Sequence, residues 1–428
     1  MVTQRNIGLF YHCLMAISIL LAIMGCASGR IVQRQIVTPE IFGAVGNGIV
    51  DDTDALKKAF SQKKPVELHN KYRITESLFL QSSMRGNGTI IFDRDGITIN
   101  CEGTGIAIQG IVFDYKNHYG RMLKLNRASK ITINDCTFTN VGTIKDEYAN
   151  GMLVIAGECR NVAISNCRFT HCISSPQSSA QGIWIQQKNP ATINQYIYVR
   201  DCYFDDFQTI EDADAIKVLG DNYDCYLYAE NCEFRRCAKR AMKFQGRECH
   251  SSNNKIYVTE PMYCAIAFQR GYGSTTKDTI IIDYDGKSTV NKDAGLLYRA
   301  ITISQGHVKV EELNMLERKI VNNTHQAVLG FVSYGDDDRK ISDVMILNSH
   351  FSNGGIFMKV AERVSEIEGL TIKSSVFVDH ISKPVLNLHR AILKNSEIGM
   401  DVQSGRDNKI NIGVMQMDTS NTINIRKK

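Results

Sequence analysis

An all-β fold, a single-stranded right-handed parallel β-helix with an N-terminal capping helix, is what this 428-residue sequence predicts. Three observations carry the prediction. A short strand pattern ending in a polar residue, cysteine, any residue and phenylalanine recurs at intervals of one solenoid turn. A second set of strands, each opening on a small residue, falls between its copies. One amphipathic helix precedes the first coil, and no long helical pattern follows.

Composition sets the bounds. At 43% hydrophobic residues the chain lies outside the disordered range and can bury a large core. Lys+Arg 50 against Asp+Glu 45 gives +5, spread along the chain with no basic run, so nucleic acid is not expected as a partner. Six prolines exclude a Pro-rich linker protein, and the one tryptophan, Trp184, singles out its own neighbourhood.

Residues 1–25 read as a signal peptide: one charge, Arg5, then an apolar run from Leu14 to Met24. The run is shorter than the ~20 residues of a membrane span. Its end, Ile23-Met24-Gly25-Cys26, resembles a bacterial lipobox, although that pattern usually has Ala or Ser where Met24 stands. The resemblance implies that Cys26 is lipidated and starts the mature chain, that residues 26–36 are a tether, and that 37–428 form the folded domain. The expected location is an exported lipoprotein of the outer membrane or periplasm of a Gram-negative bacterium, or a secreted protein, touching membrane by its lipid anchor only.

Residues 51–62, DDTDALKKAFSQ, fit a cap. Asp51, Asp52 or Thr53 can start the helix, and Ala55, Leu56, Ala59 and Phe60 share one face. The open end of a β-helix exposes core and unpaired edge groups, so a lid is required. The strand pattern then appears as ITINDCTF (131–138), VAISNCRF (162–169), IYVRDCYF (197–204) and LYAENCEF (227–234), with weaker copies VMILNSHF (344–351) and LTIKSSVF (370–377). Stacking the copies makes columns of Cys136, Cys167, Cys202 and Cys232 and of Phe138, Phe169, Phe204 and Phe234. Buried free cysteine packs as a small hydrophobe, so the thiol column is expected to be core and not disulfides. The column Asp135, Asn166, Asp201 and Asn231 falls where the strand turns, where such residues accept left-handed backbone. No CxxC pair or His/Cys spacing supports a zinc site.

The stretch IFGAVGNGIVDDTDALKKAF (41–60), with the strands through GNGTIIF (86–92), is similar to the N-terminal signature of the pectate-lyase superfamily of right-handed β-helix proteins. The resemblance implies a pectin-lyase-like solenoid. It does not choose among polysaccharide lyases, glycoside hydrolases, epimerase-like proteins and phage tailspikes, because fold does not set function.

The second strand set contains the candidate site. Aligned on Gly151, Gly182, Ala215, Ala241, Ala265 and Ala300, it places Leu153, Trp184, Lys217, Lys243, Ala267 and Thr302 outward, two residues on. Ile155, Gln186, Leu219, Gln245, Gln269 and Ser304 follow on the same side, and Asp214 and Arg240 stand at the strand entrance. Trp184 offers a sugar ring a flat face; Gln186, Gln245 and Gln269 offer hydrogen bonds to hydroxyls, with Lys239 and Arg270 as further substrate contacts. Arg240 can clamp a uronate carboxylate, and neighbouring Lys217 and Lys243 favour the neutral amine that a base requires. This set suits β-elimination of an acidic, uronate-containing polysaccharide. The alternative pairs Asp212 with Asp214 as acid and base of a hydrolase, or as oxygen ligands for calcium; no other cofactor is expected. In the polygalacturonase family the motif Asn-Thr-Asp-Gly-Ile is similar to Asp212-Ala213-Asp214-Ala215-Ile216. However, Lys239-Arg240 stands where that family's aspartate pair falls, and Tyr263-Cys264-Ala265 where its Gly-His-Gly falls, so only Asp214 carries over. A non-catalytic carbohydrate-binding or adhesin-like solenoid is the third reading. The histidines His171, His250, His307, His325 and His389 are scattered and read as loop or surface residues. The sequence leaves oligomeric state open.

Overall fold

The chain enters its fold through a cap. In the computed structural model, which describes residues 36–427 apart from 143–149, 174–178, 187–193, 209–211, 220–224, 284–296, 305, 318–326, 333–339, 353–357, 361–363, 365, 380–391, 405–415 and 418–419, a single turn of 3-10 helix at Pro39–Phe42 leads to helix α1, Thr53–Ser61. Ala55, Leu56, Ala59 and Phe60 are buried on its inner face. Asp51 supplies the cap, accepting the Thr53 N–H at 3.0 Å, while the Asp52 carboxylate turns back to the N–H groups of Val45 and Gly46 at 2.7 and 3.2 Å. Residues 1–35, on which the expected signal peptide, Cys26 and nearly all of the expected tether fall, lie outside the described residues. No helix among the described residues is long and apolar enough to cross a membrane.

From there the chain coils, and nearly every strand pairs in parallel with the strand one winding on. Three sheet faces result. The first runs through Ile99–Thr104, the start of Arg121–Asn134, Asn150–Ile155, Ser179–Gln186, Asp212–Leu219, the starts of Arg240–Ser252 and Met262–Thr276, Leu297–Ile303 and Ala327–Phe331. The second holds Arg160–Ser165, Asn194–Arg200, Cys225–Glu230, the ends of the two long strands, His307–Glu311 and Val344–Leu347. The third holds Thr137–Val141, Arg168–Ile173, Tyr203–Gln208, Glu233–Cys237, Lys255–Val258 and Thr279–Ile282. Strands repeat at about 4.8 Å, so any inward position becomes a column of like side chains.

The phenylalanine column shows the consequence. The rings of Phe113, Phe138, Phe169, Phe204 and Phe234 stack with centroids 4.7, 4.8, 5.0 and 4.9 Å apart, all fully buried. The thiol column lies at the corner between the second and third faces. Each of Cys136, Cys167, Cys202 and Cys232 donates to the carbonyl two residues before it, at 3.1–3.3 Å, just past an Asx residue with φ near +55°. Further along the rod Ser349, Ser375 and Ser396 make the same bond to Leu347, Lys373 and Lys394 at 2.9, 3.1 and 2.7 Å. A thiol and a hydroxyl thus make the same second bond to a corner carbonyl that already accepts a backbone N–H from the neighbouring winding. All eleven described cysteines are free and buried. Burial pushes the Cys101 and Cys249 thiols up to about 12 and Cys159 up to about 11.

Candidate functional site

The first sheet face positions the predicted residues. Its register runs Arg121, Gly151, Gln181, Asp214, Arg240, Cys264 and Arg299 in one outward column. A second column runs Lys124, Val154, Trp184, Lys217, Lys243, Ala267 and Thr302. Trp184, Lys217 and Lys243 therefore stand on three successive windings. The two columns lie three residues apart within each strand rather than two. The residue between them on the small-residue position (Gly182, Ala215, Ala241, Ala265 or Ala300) is left out of the ladder pairing at every winding.

That irregularity corrects the first rung of the sequence alignment. Gly151 pairs with Gln181 and not with Gly182, so Val154, not Leu153, precedes Trp184 in its column. Leu153 and Ile155 belong to the core. A Cβ on Gly151 would meet Val154 Cγ2 at 2.8 Å and the Trp184 ring at 3.6 Å; the glycine leaves room for the indole beside it.

The row is covered, and this departs from the open stripe expected of outward residues. Trp184 and Lys217 are 5% exposed, Arg240 4% and Asp214 0%. Gln186 and Gln269 are also buried, whereas Lys239, Lys243, Gln245 and Arg270 are half-buried. The physical reason is partnership. Arg240 grips Asp214 with two bonds, Nε to Oδ1 at 2.5 Å and Nη2 to Oδ2 at 3.3 Å. The Trp184 ring lies beneath two cations, with the Arg121 guanidinium 5.1 Å and Lys217 Nζ 5.6 Å from its centroid. Its indole N–H is buried without a hydrogen-bond partner among the described residues. On the next windings Lys239 Nζ and the Arg299 guanidinium approach the Tyr263 ring at 4.7 and 5.7 Å, and Arg299 donates to the Tyr263 hydroxyl at 3.1 Å. Gln245 pairs with Arg270 across a bulge. Asp212 starts its strand opposite Ser179, but its side chain lies outside the described residues.

Sequence reasoning missed Arg121, because the row was started one winding too late. Continued back from Asp214 and Arg240, the strand-entrance column reaches it directly. Chemically the site is a polar layer on the outside of a sheet, rich in Arg and Lys, with Asp214 held in an ion pair. Among the described residues no group of three His, Cys, Asp or Glu could hold a metal ion.

Residues 121–296 match the family described as right handed beta helix region. The chain is a right-handed parallel β-helix protein. In sequence it is similar to a capsule-specific depolymerase of Klebsiella phage K64-1, at 34% identity over 127 residues, 27% of this chain and 14% of that protein. The chain thus spans a small part of that relative's length. Its fold superposes on the tailspike protein of E. coli bacteriophage HK620, solved as a mutant with a hexasaccharide, with a TM-score of 0.62 and 11% identity, covering 87% of this chain and 75% of that one. It also superposes on PfbA, a surface adhesin of Streptococcus pneumoniae, with a TM-score of 0.54 and 13% identity over 92% and 93% of the two chains. At such identities the structural likeness concerns the β-helix alone.

Proposed function

We propose that this β-helix protein is an exported, polysaccharide-active enzyme, a lyase acting on an acidic glycan at the cationic row of its first face. The observation that carries the reading is the in-register stack of Trp184, Lys217 and Lys243 beside Arg240. The depolymerase relative, named for capsule, supports a polymeric glycan as the substrate class. In this reading Lys239 and Arg270, the half-buried cations of the row, neutralise the uronate carboxylate, which acidifies the C5 proton, while Arg240 stays paired with Asp214 beneath them. Lys243, the more accessible of the two stacked lysines, removes that proton. The electron pair forms the C4–C5 double bond, the C4–O bond to the next sugar breaks, and the departing oxygen takes a proton from water.

The hydrolase alternative through Asp212 and Asp214 is disfavoured by one observation: both Asp214 oxygens already serve Arg240. The same engagement fits calcium ligation at Asp214 poorly, so the proposal needs no cofactor; activity unchanged by chelator agrees with it. Lipidation at Cys26 belongs to the same proposal, with the lipid as the only membrane contact, and metabolic labelling with a fatty acid tests it.

Incubation with acidic polysaccharides decides the chemistry. Unsaturated, ultraviolet-absorbing ends that disappear in Lys243→Ala support the lyase. Reducing ends without that absorbance transfer the reading to hydrolysis, and binding with neither signal reduces the protein to a glycan-binding solenoid.

A further inference from the structure

On the second face the β-helix carries a feature that the cationic row does not use. An open groove of about 820 Å³ lies there, among Glu248, His250, Tyr272, His307, Lys309 and Asp343. Such a volume is in the range of small-ligand sites. The strand register explains how it forms. One outward column runs Tyr226, Glu248, Tyr272 and His307, and His307 reaches Asp343 on the next winding at 2.9 Å. The adjacent column runs Tyr198, Tyr228, His250, Ser274 and Lys309.

Aromatic rings are thus stacked along the outside of the rod as well as inside it. Tyr272 lies on His307 with centroids 4.7 Å apart, and Tyr228 bridges Tyr198 and His250 at 5.3 and 5.2 Å. Tyr272 is 56% exposed and Tyr196, at the far end of the ladder, 43%. Large rings left in water along one line mark a binding surface. Between them the polar groups are held in place. His250 bonds Glu248 at 2.9 Å and Ser274 at 2.7 Å, and Lys309 bonds Glu311 at 2.6 Å. At the end of the first column stands Gly369 (φ +69°), where a Cβ would crowd Asp343 Oδ1 at 2.9 Å. A side chain at that position would cover the carboxylate; glycine keeps it open to the groove.

Two features narrow the ligand. Glu248 and Asp343 are hydrogen-bonded by His250 and His307, and Lys309 is paired with Glu311, so the groove offers a polyanion no cluster of cations, in contrast to the Arg- and Lys-rich first face. The groove alternates ring edges with fixed donors and acceptors, which matches the alternating C–H and hydroxyl surface of a sugar. Glu248 and Asp343 are three windings apart, about 14 Å at the strand spacing. A glycosidase pair stands within roughly 5–9.5 Å, so Glu248 and Asp343 do not form one, and the groove is read as a binding surface.

We propose that the second face is a binding site for neutral oligosaccharide, separate from the row on the first face and independent of its chemistry. The probe is an immobilised panel of neutral bacterial surface polysaccharides and their oligosaccharides. Wild-type protein binds at least one member, Tyr272→Ala and His307→Ala each weaken it tenfold or more, and Tyr272→Phe retains most affinity. Lys243→Ala, on the other face, leaves this binding intact while it removes any lyase activity, so the two proposals fail separately. Circular dichroism and an unchanged melting temperature confirm that the variants fold. Absence of binding across the neutral panel overturns the proposal, as does binding indifferent to Tyr272 and His307. Concentration-dependent self-association that Tyr272→Ala abolishes also overturns it, assigning the face to contact between chains.

Discussion

Removing Asp214 alone should damage the protein more than removing it together with its partner. Asp214 is fully buried and Arg240 4% exposed, with two bonds between them. Asp214→Ala strips the guanidinium of its bidentate acceptor in a site with little water. Deleting one member of a buried pair costs about 3–5 kcal/mol. Replacing both with apolar residues restores a layer without an uncompensated charge, and such replacements are often neutral or stabilising. Asp214→Ala/Arg240→Leu should therefore recover at least half of the loss, an opposite sign to simple additivity. Urea unfolding followed by circular dichroism reads this as a shift in midpoint at constant slope. A loss under about 1 kcal/mol in the single variant would show that the pair is solvated. A double variant as unstable as the sum of the two singles would show that Asp214 and Arg240 do not act as a unit.

Four further outcomes follow. Phe169→Ala removes a ring packed between Phe138 and Phe204 at 4.8 and 5.0 Å, and should cost about 3–5 kcal/mol in the same urea assay. Cys167→Ser should cost under about 1.5 kcal/mol, because Ser349 and Ser375 already make the corner bond that Cys167 makes. The same burial predicts that none of the eleven described cysteines reacts with a thiol reagent until denaturant is added, which peptide mapping after labelling checks. Lys116 and Arg73 hold the Asp93 carboxyl at about 2, below its ordinary 3.8. Its contribution is present above 3.8 and lost as pH falls through 2. Asp93→Asn should flatten the fall of melting temperature between pH 4 and pH 2 and change little near neutrality.

The fold was legible because a parallel coil writes one residue of every column into each winding. The cysteine and phenylalanine columns survive strand by strand in the sequence, and the Asx corner residues mark where each turn falls. The cap was legible from the amphipathic spacing of Ala55, Leu56, Ala59 and Phe60. The row on the first face was readable only in its middle. Trp184, Lys217 and Lys243 share a small-residue anchor, but Gly151 is a glycine one place early and shifted the first rung. Burial of the row was not legible, since outward direction on a strand does not reveal what lies above it. The second-face groove was harder still. Glu248, Tyr272, His307 and Asp343 are 24 to 36 residues apart and form no motif. A trace existed in the alternation Tyr196-x-Tyr198 and Tyr226-x-Tyr228, which repeats aromatic residues at outward positions on consecutive windings.

The parallel register also governs what kinds of sequence change the rod tolerates. Lengthening a connector between strands leaves every stack on every face aligned. A single-residue insertion within a strand flips each later side chain of that segment from inside to outside. Deleting or duplicating a whole winding shortens or extends both faces together while preserving each neighbour contact. Divergence in such a molecule is thus channelled into connectors and into the number of windings, and one face can be re-decorated without disturbing the ligand preference of another.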